Sequence, residues 1–227
     1  MIRNFFLSKP IAFKLYFYLV RAFRGDKVRL PAKGDQLYFD GYPRSGNTYD
    51  VGLISDLVPG LVWAHHLHSE AALKIALKLG IKTVVIIRNP LQAVSSFIYT
   101  KNKAATTEEI EALVQRYTKY YSFVKEKMND LTLLSFESLT NNTAGFVTQV
   151  FSVLELESGL SQQQLNNSIL NYRHRMKLAE KNKTTESSSL PNKERDIFKG
   201  KIEDEVLNSK SFEAASGLFN ELTSRII

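Results

Sequence analysis

The sequence contains no cysteine among its 227 residues. Disulfide bonds and thiolate metal ligands are therefore excluded. The N-terminal segment also lacks a long apolar run. Its longest uncharged stretch, Leu15 to Val20, is far too short to span a bilayer, and Lys14 interrupts any signal-peptide core. We therefore expect no transmembrane helix and a cytoplasmic location.

Most of the chain is nearly neutral, although the whole chain carries a formal net charge of +7. Residues 1–36 contain eight Lys and Arg against two Asp, whereas the remainder contains 22 basic and 21 acidic residues. The basic excess thus belongs to an N-terminal arm rich in aromatic residues. Such an arm either packs on the body or lies on an anionic membrane surface through residues 1–24. A body without a basic stripe argues against a nucleic-acid partner.

Apolar residues make up 44% of the chain, which is enough for a sizeable core. We predict a helical arm at residues 1–36 and a single α/β domain at residues 37–227. Strand and helix patterns alternate along that domain; they include strands at Thr83–Ile87 and Leu131–Phe136, a helix from Thr107 to about Met128 with Tyr121 on its apolar face, and a helix at Thr143–Leu154. This alternation predicts three layers, with a central parallel sheet of about four to five strands and helices on both faces. Ligands then bind beyond the carboxyl ends of the strands.

The stretch from Tyr38 to Tyr49, YFDGYPRSGNTY, has the pattern of a strand that feeds a phosphate-binding loop. Gly41, Gly46 and Thr48 are spaced like the two glycines and the hydroxyl of a P-loop. Asn47 stands where a nucleotide-hydrolysing P-loop has its lysine, and the nearest cation is Arg44. Successive N–H groups before a helix, together with an arginine, still bind phosphate. The alternative is a turn that merely joins a strand to a helix.

A second strand, charged turn and helix follow in KTVVIIRNPLQAVSSFIY, from Lys82 to Tyr99. Together the two stretches resemble the paired signatures of the sulfotransferase family. In that family a segment of the form YPKSGTTW binds the 5′-phosphosulfate of 3′-phosphoadenosine-5′-phosphosulfate (PAPS). A later RNPxDxxxSxY segment binds its 3′-phosphate. The resemblance covers roughly the first half of the chain and implies a P-loop-like site.

The resemblance assigns a role to each matching position. Arg44 matches the phosphate-binding lysine of the family, and Tyr49 matches the aromatic residue after the loop. Arg88 and Ser96 match the pair that binds the 3′-phosphate. The loop donors are Ser45, Gly46, Asn47 and Thr48.

Three histidines lie at the end of the second predicted strand, in WAHHLHS. A metal site is disfavoured, because an extended stretch points alternate side chains to opposite faces and no cysteine or acid pair completes a site. In the family a Lys-Thr-His segment here carries the general base. The resemblance places that base at His66, 22 residues before Arg88, with His65 as the alternative. Ala64 replaces the lysine of the family.

Other positions depart from the family pattern. Phe136 replaces a tyrosine that bonds adenine, and neither the late Arg-Lys-Gly loop nor the Gly-Asp-Trp motif is intact. The polar stretch from Lys181 to Asp196 is typical of a loop. Basic residues near its end either reach the 3′-phosphate or form a solvated charge run; they are Lys193, Arg195 and Lys199.

The resemblance implies transfer of a sulfuryl group from PAPS to a hydroxyl or an amine, with adenosine 3′,5′-bisphosphate (PAP) as product and no metal. Relatives of similar type act on polysaccharides, glycolipids and small alcohols or phenols, and the resemblance does not choose among these acceptors. Two other classes stay open. An ATP-dependent P-loop kinase would need Mg²⁺, and Asn47 argues against it. A non-catalytic nucleotide-binding relative would fit the changes at Ala64 and in the late loop.

Overall fold

The computed structural model describes residues 9–24, 29–101, 105–156, 159–180 and 202–226. Within these ranges the strands are β1 (Leu37–Gly41), β2 (Trp63–His65), β3 (Thr83–Ile87) and β4 (Thr132–Ser135). The helices are α1 (Pro10–Arg24), α2 (Asn47–Leu57), α3 (Glu70–Lys78), α4 (Pro90–Lys101), α5 (Thr107–Glu126), α6 (Phe136–Asn141), α7 (Thr143–Leu154), α8 (Gln162–Glu180) and α9 (Phe212–Thr223). Residues 202–207 are helical as well.

Local sequence determines where several of these helices begin. The Thr106 hydroxyl accepts the Glu109 N–H at 3.3 Å, and the Glu109 carboxylate accepts the Thr106 N–H at 2.9 Å. This reciprocal pair is a capping box, and it starts α5. At α3 the Ser69 hydroxyl accepts the N–H of Ala71. Capping of this kind satisfies donors that the helix itself leaves unpaired.

The four strands form one parallel sheet in the order β2-β1-β3-β4. Leu37 of β1 lies opposite Trp63 of β2, and Tyr38 lies opposite Thr83 of β3. Every residue of β1 and β3 is buried, as expected for parallel strands covered on both sides by helices. The predicted fold class is therefore confirmed, with four strands in the sheet. The fourth strand ends one residue early, because Phe136 begins α6.

Side chains of the strands alternate between two apolar layers. Tyr38, Val85 and Leu133 face the layer that contains buried residues of α3, α4 and α5. Phe39, Ile86 and Leu134 face the opposite layer, with α2, α7 and α8. The sheet is thus a rigid central element whose carboxyl edge presents the connecting loops.

The N-terminal helix α1 packs against α3. Its Phe13 is buried with the first apolar layer. None of the described helices is long and apolar enough to cross a membrane. The division into an arm at residues 1–36 and a domain at residues 37–227 stays a prediction.

Candidate functional site

The predicted phosphate-binding loop lies between β1 and α2. A Cβ atom on Gly41 would lie 2.6 Å from the Ile86 carbonyl oxygen of the neighbouring strand, so a side chain does not fit there. Gly46 is the N-cap of α2 and has φ 96°, a left-handed conformation that favours glycine. Among the described residues, no side chain caps this helix. Its first N–H groups and its dipole therefore point toward an anion-binding position.

Individual loop residues present different groups to this position. Ser45 and Asn47 are buried, and the Asn47 amide donates to the Tyr42 carbonyl oxygen at 3.4 Å. Thr48 is exposed. The side chain of Asn47 therefore points into the protein, and the part of Asn47 suited to an anion is its backbone N–H.

Tyr121 of α5 buttresses the start of the loop. Its hydroxyl accepts the Tyr42 N–H at 3.2 Å and donates to the Ile86 carbonyl oxygen at 2.6 Å. Burial is the main cause that raises the pKa of Tyr121, so the hydroxyl stays protonated as this geometry requires. Sequence reasoning placed this tyrosine only on the apolar face of a helix.

Arg44 and Ser96 come together although 52 residues separate them. The Arg44 Nε donates to the Ser96 Oγ at 3.2 Å. Arg44 itself has φ 71°, which is uncommon for a residue with a side chain. The cation of the first motif thus lies beside the hydroxyl of the second.

Arg88 follows β3 and reaches back to the loop. Its Nη1 donates to the Arg44 carbonyl oxygen at 2.7 Å, and its Nε donates to Gln92 Oε1 at 3.3 Å. Its guanidinium carbon lies 4.0 Å from the centroid of the Phe136 ring. The Tyr117 hydroxyl donates to the Arg88 carbonyl oxygen at 2.7 Å. Both predicted arginines therefore lie at one edge of the sheet.

His66 contacts the loop, and His65 contacts His66. The His66 Nε2 is 3.3 Å from the Thr48 Oγ1, and the Nδ1 atoms of His65 and His66 are 2.8 Å apart. If the His66 Nδ1 carries the hydrogen, it donates to His65, and Nε2 is left as an acceptor. Burial and the neighbouring His68 and His65 lower the pKa of His66 to about 4.

An acid within β1, which the sequence analysis did not single out, organises the histidine segment. Asp40 is fully buried and accepts the Tyr38 hydroxyl at 2.5 Å and the His68 N–H at 3.1 Å. The pKa of Asp40 lies below its usual value. Burial alone would raise this pKa, but the interactions with His68 and Tyr38 outweigh burial. The His68 carbonyl oxygen also accepts from Arg116 at 3.1 Å. An aspartate inside an apolar strand was the signal for this network.

Tyr49 is held from the side by α8. Its hydroxyl accepts the Nε of Arg173 at 3.1 Å, and its ring meets Tyr172 edge to face with centroids 5.2 Å apart. Tyr172 also lies over Gly52, where a Cβ atom would be 2.0 Å from the Tyr172 hydroxyl oxygen. A residue of the first motif is thus fixed by a distant helix.

Two predictions concern metal and the late loop. Within the described ranges, no group of three or more His, Cys, Asp or Glu residues is placed to hold a metal ion. The predicted loop from Lys181 to Asp196, together with Lys193, Arg195 and Lys199, lies outside the described residues.

The fold and the loop define an α/β protein in which an uncapped helix N-terminus, suited to an anion, lies at the carboxyl edge of a parallel sheet. The chain belongs to the sulfotransferase family, because a family model described as "Sulfotransferase domain" matches residues 54–215, more than half of the chain. The match begins after the loop. The resemblance of the loop to the family therefore rests on its own residues and geometry.

Among solved structures, the chain is similar to mouse sulfotransferase SULT7A1 complexed with PAP, with a TM-score of 0.54 and 15% identity. The similarity covers 86% of this chain and 87% of the mouse chain. At this identity the likeness shows the fold. No curated protein matches the chain.

Proposed function

We propose that this protein transfers a sulfuryl group from PAPS to an acceptor hydroxyl, or less favourably an amine, and releases PAP. The observation that carries the proposal is the convergence of three side chains on one loop. Arg44 belongs to the loop, Arg88 binds its backbone, and His66 lies beside its Thr48. Two cations and a base suit a donor that carries a phosphate at the 3′ position and a phosphosulfate at the 5′ position of its ribose.

The described residues fit such a donor. The uncapped N-terminus of α2 and the charge of Arg44 suit the 5′-phosphosulfate. Arg88 and Ser96 suit the 3′-phosphate, and Tyr49 offers a ring beside the nucleotide. In this assignment Ser45, Gly46, Asn47 and Thr48 contribute loop donors.

His66 supplies the base in the proposed reaction. Its Nε2 takes the proton of the acceptor hydroxyl while the hydroxyl oxygen forms a bond to sulfur. The bond between sulfur and the bridging oxygen breaks, and its electron pair stays on the phosphate of PAP. Arg44 stabilises the negative charge that accumulates there. The residues thus supply in-line positioning, a base and a cation, and no step is assigned to a metal.

Two competing functions predict different ligands. An ATP-dependent kinase requires ATP with Mg²⁺, but Asn47 stands where such a loop has lysine, and its side chain points inward. A non-catalytic relative would bind PAP and transfer nothing.

Calorimetric titration separates these functions. We expect the purified protein to bind PAP and to show no comparable affinity for ATP with Mg²⁺. Preference for ATP would overturn the proposal. Binding of PAP without turnover in a screen of carbohydrate, glycolipid, phenol and amine acceptors would identify a non-catalytic relative.

Arg88→Ala tests the assignment of the 3′-phosphate. A hydrogen bond to a charged group contributes about 1.5–3 kcal/mol, so we expect affinity for PAP to fall roughly 10- to 100-fold. Affinity for AMP, which lacks the 3′-phosphate, should change much less. Equal losses for PAP and AMP would remove Arg88 from this role. Lys119→Ala, on the exterior of α5, is the control for removal of a cation.

We also propose that the protein acts in the cytoplasm with α1 resting on an anionic membrane. The outward face of α1 carries Ile11, Leu15 and Tyr18, which are 86%, 62% and 60% exposed. Their spacing places them on one side of the helix, opposite the buried Phe13. The net charge of +6 in residues 1–36 complements anionic lipid. A glycolipid presented at that surface suits the proposed acceptor class.

A further inference from the structure

Phe136 contacts both halves of the proposed donor site. It is the first residue of α6 and follows β4, so it lies at the same edge of the sheet as the loop. One face of its ring carries the Arg88 guanidinium, with 4.0 Å between the guanidinium carbon and the ring centroid. A cation at this distance from an aromatic face is attracted by the ring quadrupole.

The edge of the same ring packs against the phosphate-binding loop. A Cβ atom on Gly46 would lie 2.9 Å from Cδ2 of Leu139 and 3.1 Å from both Cδ2 and Cε2 of Phe136. Leu139 and the Phe136 ring together therefore leave little room for a side chain at position 46. Phe136 thus packs, with Leu139, against the N-cap of α2, from which the N–H groups point.

Arg88 closes this set of contacts. Its Nη1 donates to the carbonyl oxygen of Arg44 at 2.7 Å, and Arg44 holds a left-handed backbone conformation. The ring touches the loop and Arg88, and Arg88 touches the loop. The group assigned to the 3′-phosphate is therefore bonded to the backbone assigned to the 5′-phosphosulfate.

We propose that Phe136 is a positioning residue that couples recognition of the 3′-phosphate to the geometry of the 5′ loop. The inference rests on the proposed function and deepens it. A 3′-phosphate that engages Arg88 acts on a guanidinium already bonded to the Arg44 carbonyl oxygen. The 3′-phosphate thereby raises the rate of transfer at the other end of the donor as well as affinity.

Phe136→Leu is the principal test, because leucine keeps apolar bulk beside Gly46 and removes the aromatic face under Arg88. We expect the preference for PAP over AMP to fall roughly 3- to 30-fold, the range of a cation–π contact. Phe136→Tyr keeps the ring face and should retain the wild-type preference. Phe123→Leu is the matched control, since it removes a ring 4.7 Å from Lys74 outside the site.

A kinetic measurement tests the coupling itself. In the wild type, kcat should be higher with PAPS than with adenosine 5′-phosphosulfate, which lacks the 3′-phosphate. In Phe136→Leu this ratio of kcat values should fall toward one. A residue that only stabilises the fold would lower both kcat values and leave their ratio unchanged.

The outcomes separate the two proposals. A wild-type protein with no preference for PAP over AMP would overturn the proposed function. A wild type that prefers PAP, with the preference and the kcat ratio unchanged in Phe136→Leu, would overturn the coupling alone. If the leucine variant fails to fold, Phe136→Met provides the same comparison, because methionine fills the volume without an aromatic face.

Discussion

His66 differs from an ordinary histidine in the pH at which it gains a proton. Burial, then the neighbouring His68 and His65, lower its pKa to about 4. The unfolded chain has a histidine pKa near 6.5. Between these values the unfolded state binds the proton and the folded state does not, so the destabilisation caused by His66 decreases as the pH rises from 4 to 6.5. The free protein therefore keeps this imidazole neutral throughout that window.

We predict that the His66 imidazole titrates near pH 4 in the free protein. A pH titration of the imidazole signals by NMR, with His66→Gln to assign the resonance, measures this value. A midpoint near 6.5 would contradict the prediction.

In the proposed transfer reaction, His66→Ala should lower kcat by about 100- to 10,000-fold and leave PAP affinity unchanged, because the proposal assigns this residue to proton transfer and not to phosphate binding.

Asp50 is a buried acid without an assigned function. It lies in the first turn of α2, is fully buried, and neither carboxylate oxygen has a hydrogen-bond partner among the described residues. Burial raises the pKa of Asp50 well above its usual value. Above pH 4 the unfolded chain loses this proton while the folded protein retains it. Stability therefore falls as the pH rises from about 4 toward the raised pKa.

Asp50→Asn should remove this penalty, because the amide is neutral at every pH. At pH 7 we expect its free energy of unfolding to exceed that of the wild type, because burial opposes ionisation of the carboxyl and the amide does not ionise. The difference should vanish near pH 4. Urea unfolding at the two pH values measures it. Asp130→Asn, at an exposed position, is the control, and a gain that is equal at both pH values would refute the explanation.

At the scale of elements, α1 has two dissimilar faces. Phe13 packs with the first apolar layer, and the opposite side exposes Ile11 and Leu15 beside the exposed Lys14. These exposed apolar side chains add no packing free energy to a monomer in water. An anionic bilayer interface would bury the apolar side chains and attract the basic ones.

Leu15→Ser should weaken binding to vesicles of phosphatidylcholine and phosphatidylserine by about 10- to 100-fold, since a buried leucine contributes roughly 1.5–3 kcal/mol. Wild-type binding should also weaken as salt is raised. Co-sedimentation at low and high salt measures both effects. Leu178→Ser removes a similarly exposed leucine from α8 and should have no effect. A wild-type protein that leaves anionic vesicles unbound at low salt would refute membrane contact.

At the scale of the whole molecule, strand order places the site. The chain passes from β1 to β2 on one side and then crosses to β3 on the other side of β1. Ligands of open α/β sheets bind at such a reversal, outside the carboxyl ends of the strands. The loop after β1 and Arg88 after β3 both lie there. Because β1 and β3 are central and buried, their ends are held rigidly.

Much of the fold followed from local sequence. The third strand was predicted at Thr83–Ile87 and a helix at Thr143–Leu154, and both have those bounds in the structure. Residue periodicity and capping side chains act over a few residues, so they are readable without the fold. Boundaries were less accurate where neighbouring elements compete. Phe136 extended the apolar pattern of β4, but the hydroxyl of Ser135 caps a short helix at that point.

The sequence predicted which residues form the site but not the hydrogen bonds between them. The two motifs named Arg44, Arg88 and Ser96, and the histidine segment after the second strand named His66. Spacing did not show that Arg88 would bond to the Arg44 carbonyl oxygen. Asp40 was hidden inside an apolar strand. Its partner His68 lies 28 residues further along the chain, and the two meet because β1 and β2 are paired neighbours.

The sequence by itself determined the strand-loop-helix units, their capped helices and the types of residue at each loop, because these depend on interactions between near neighbours in the chain. Only the tertiary structure decided which loops share an edge. It also placed Phe136 beneath Arg88, put His66 rather than His65 beside Thr48, and buried Asp50 with no hydrogen-bond partner among the described residues. These features join residues far apart in the chain, so they arise only when the sheet order brings the strands together.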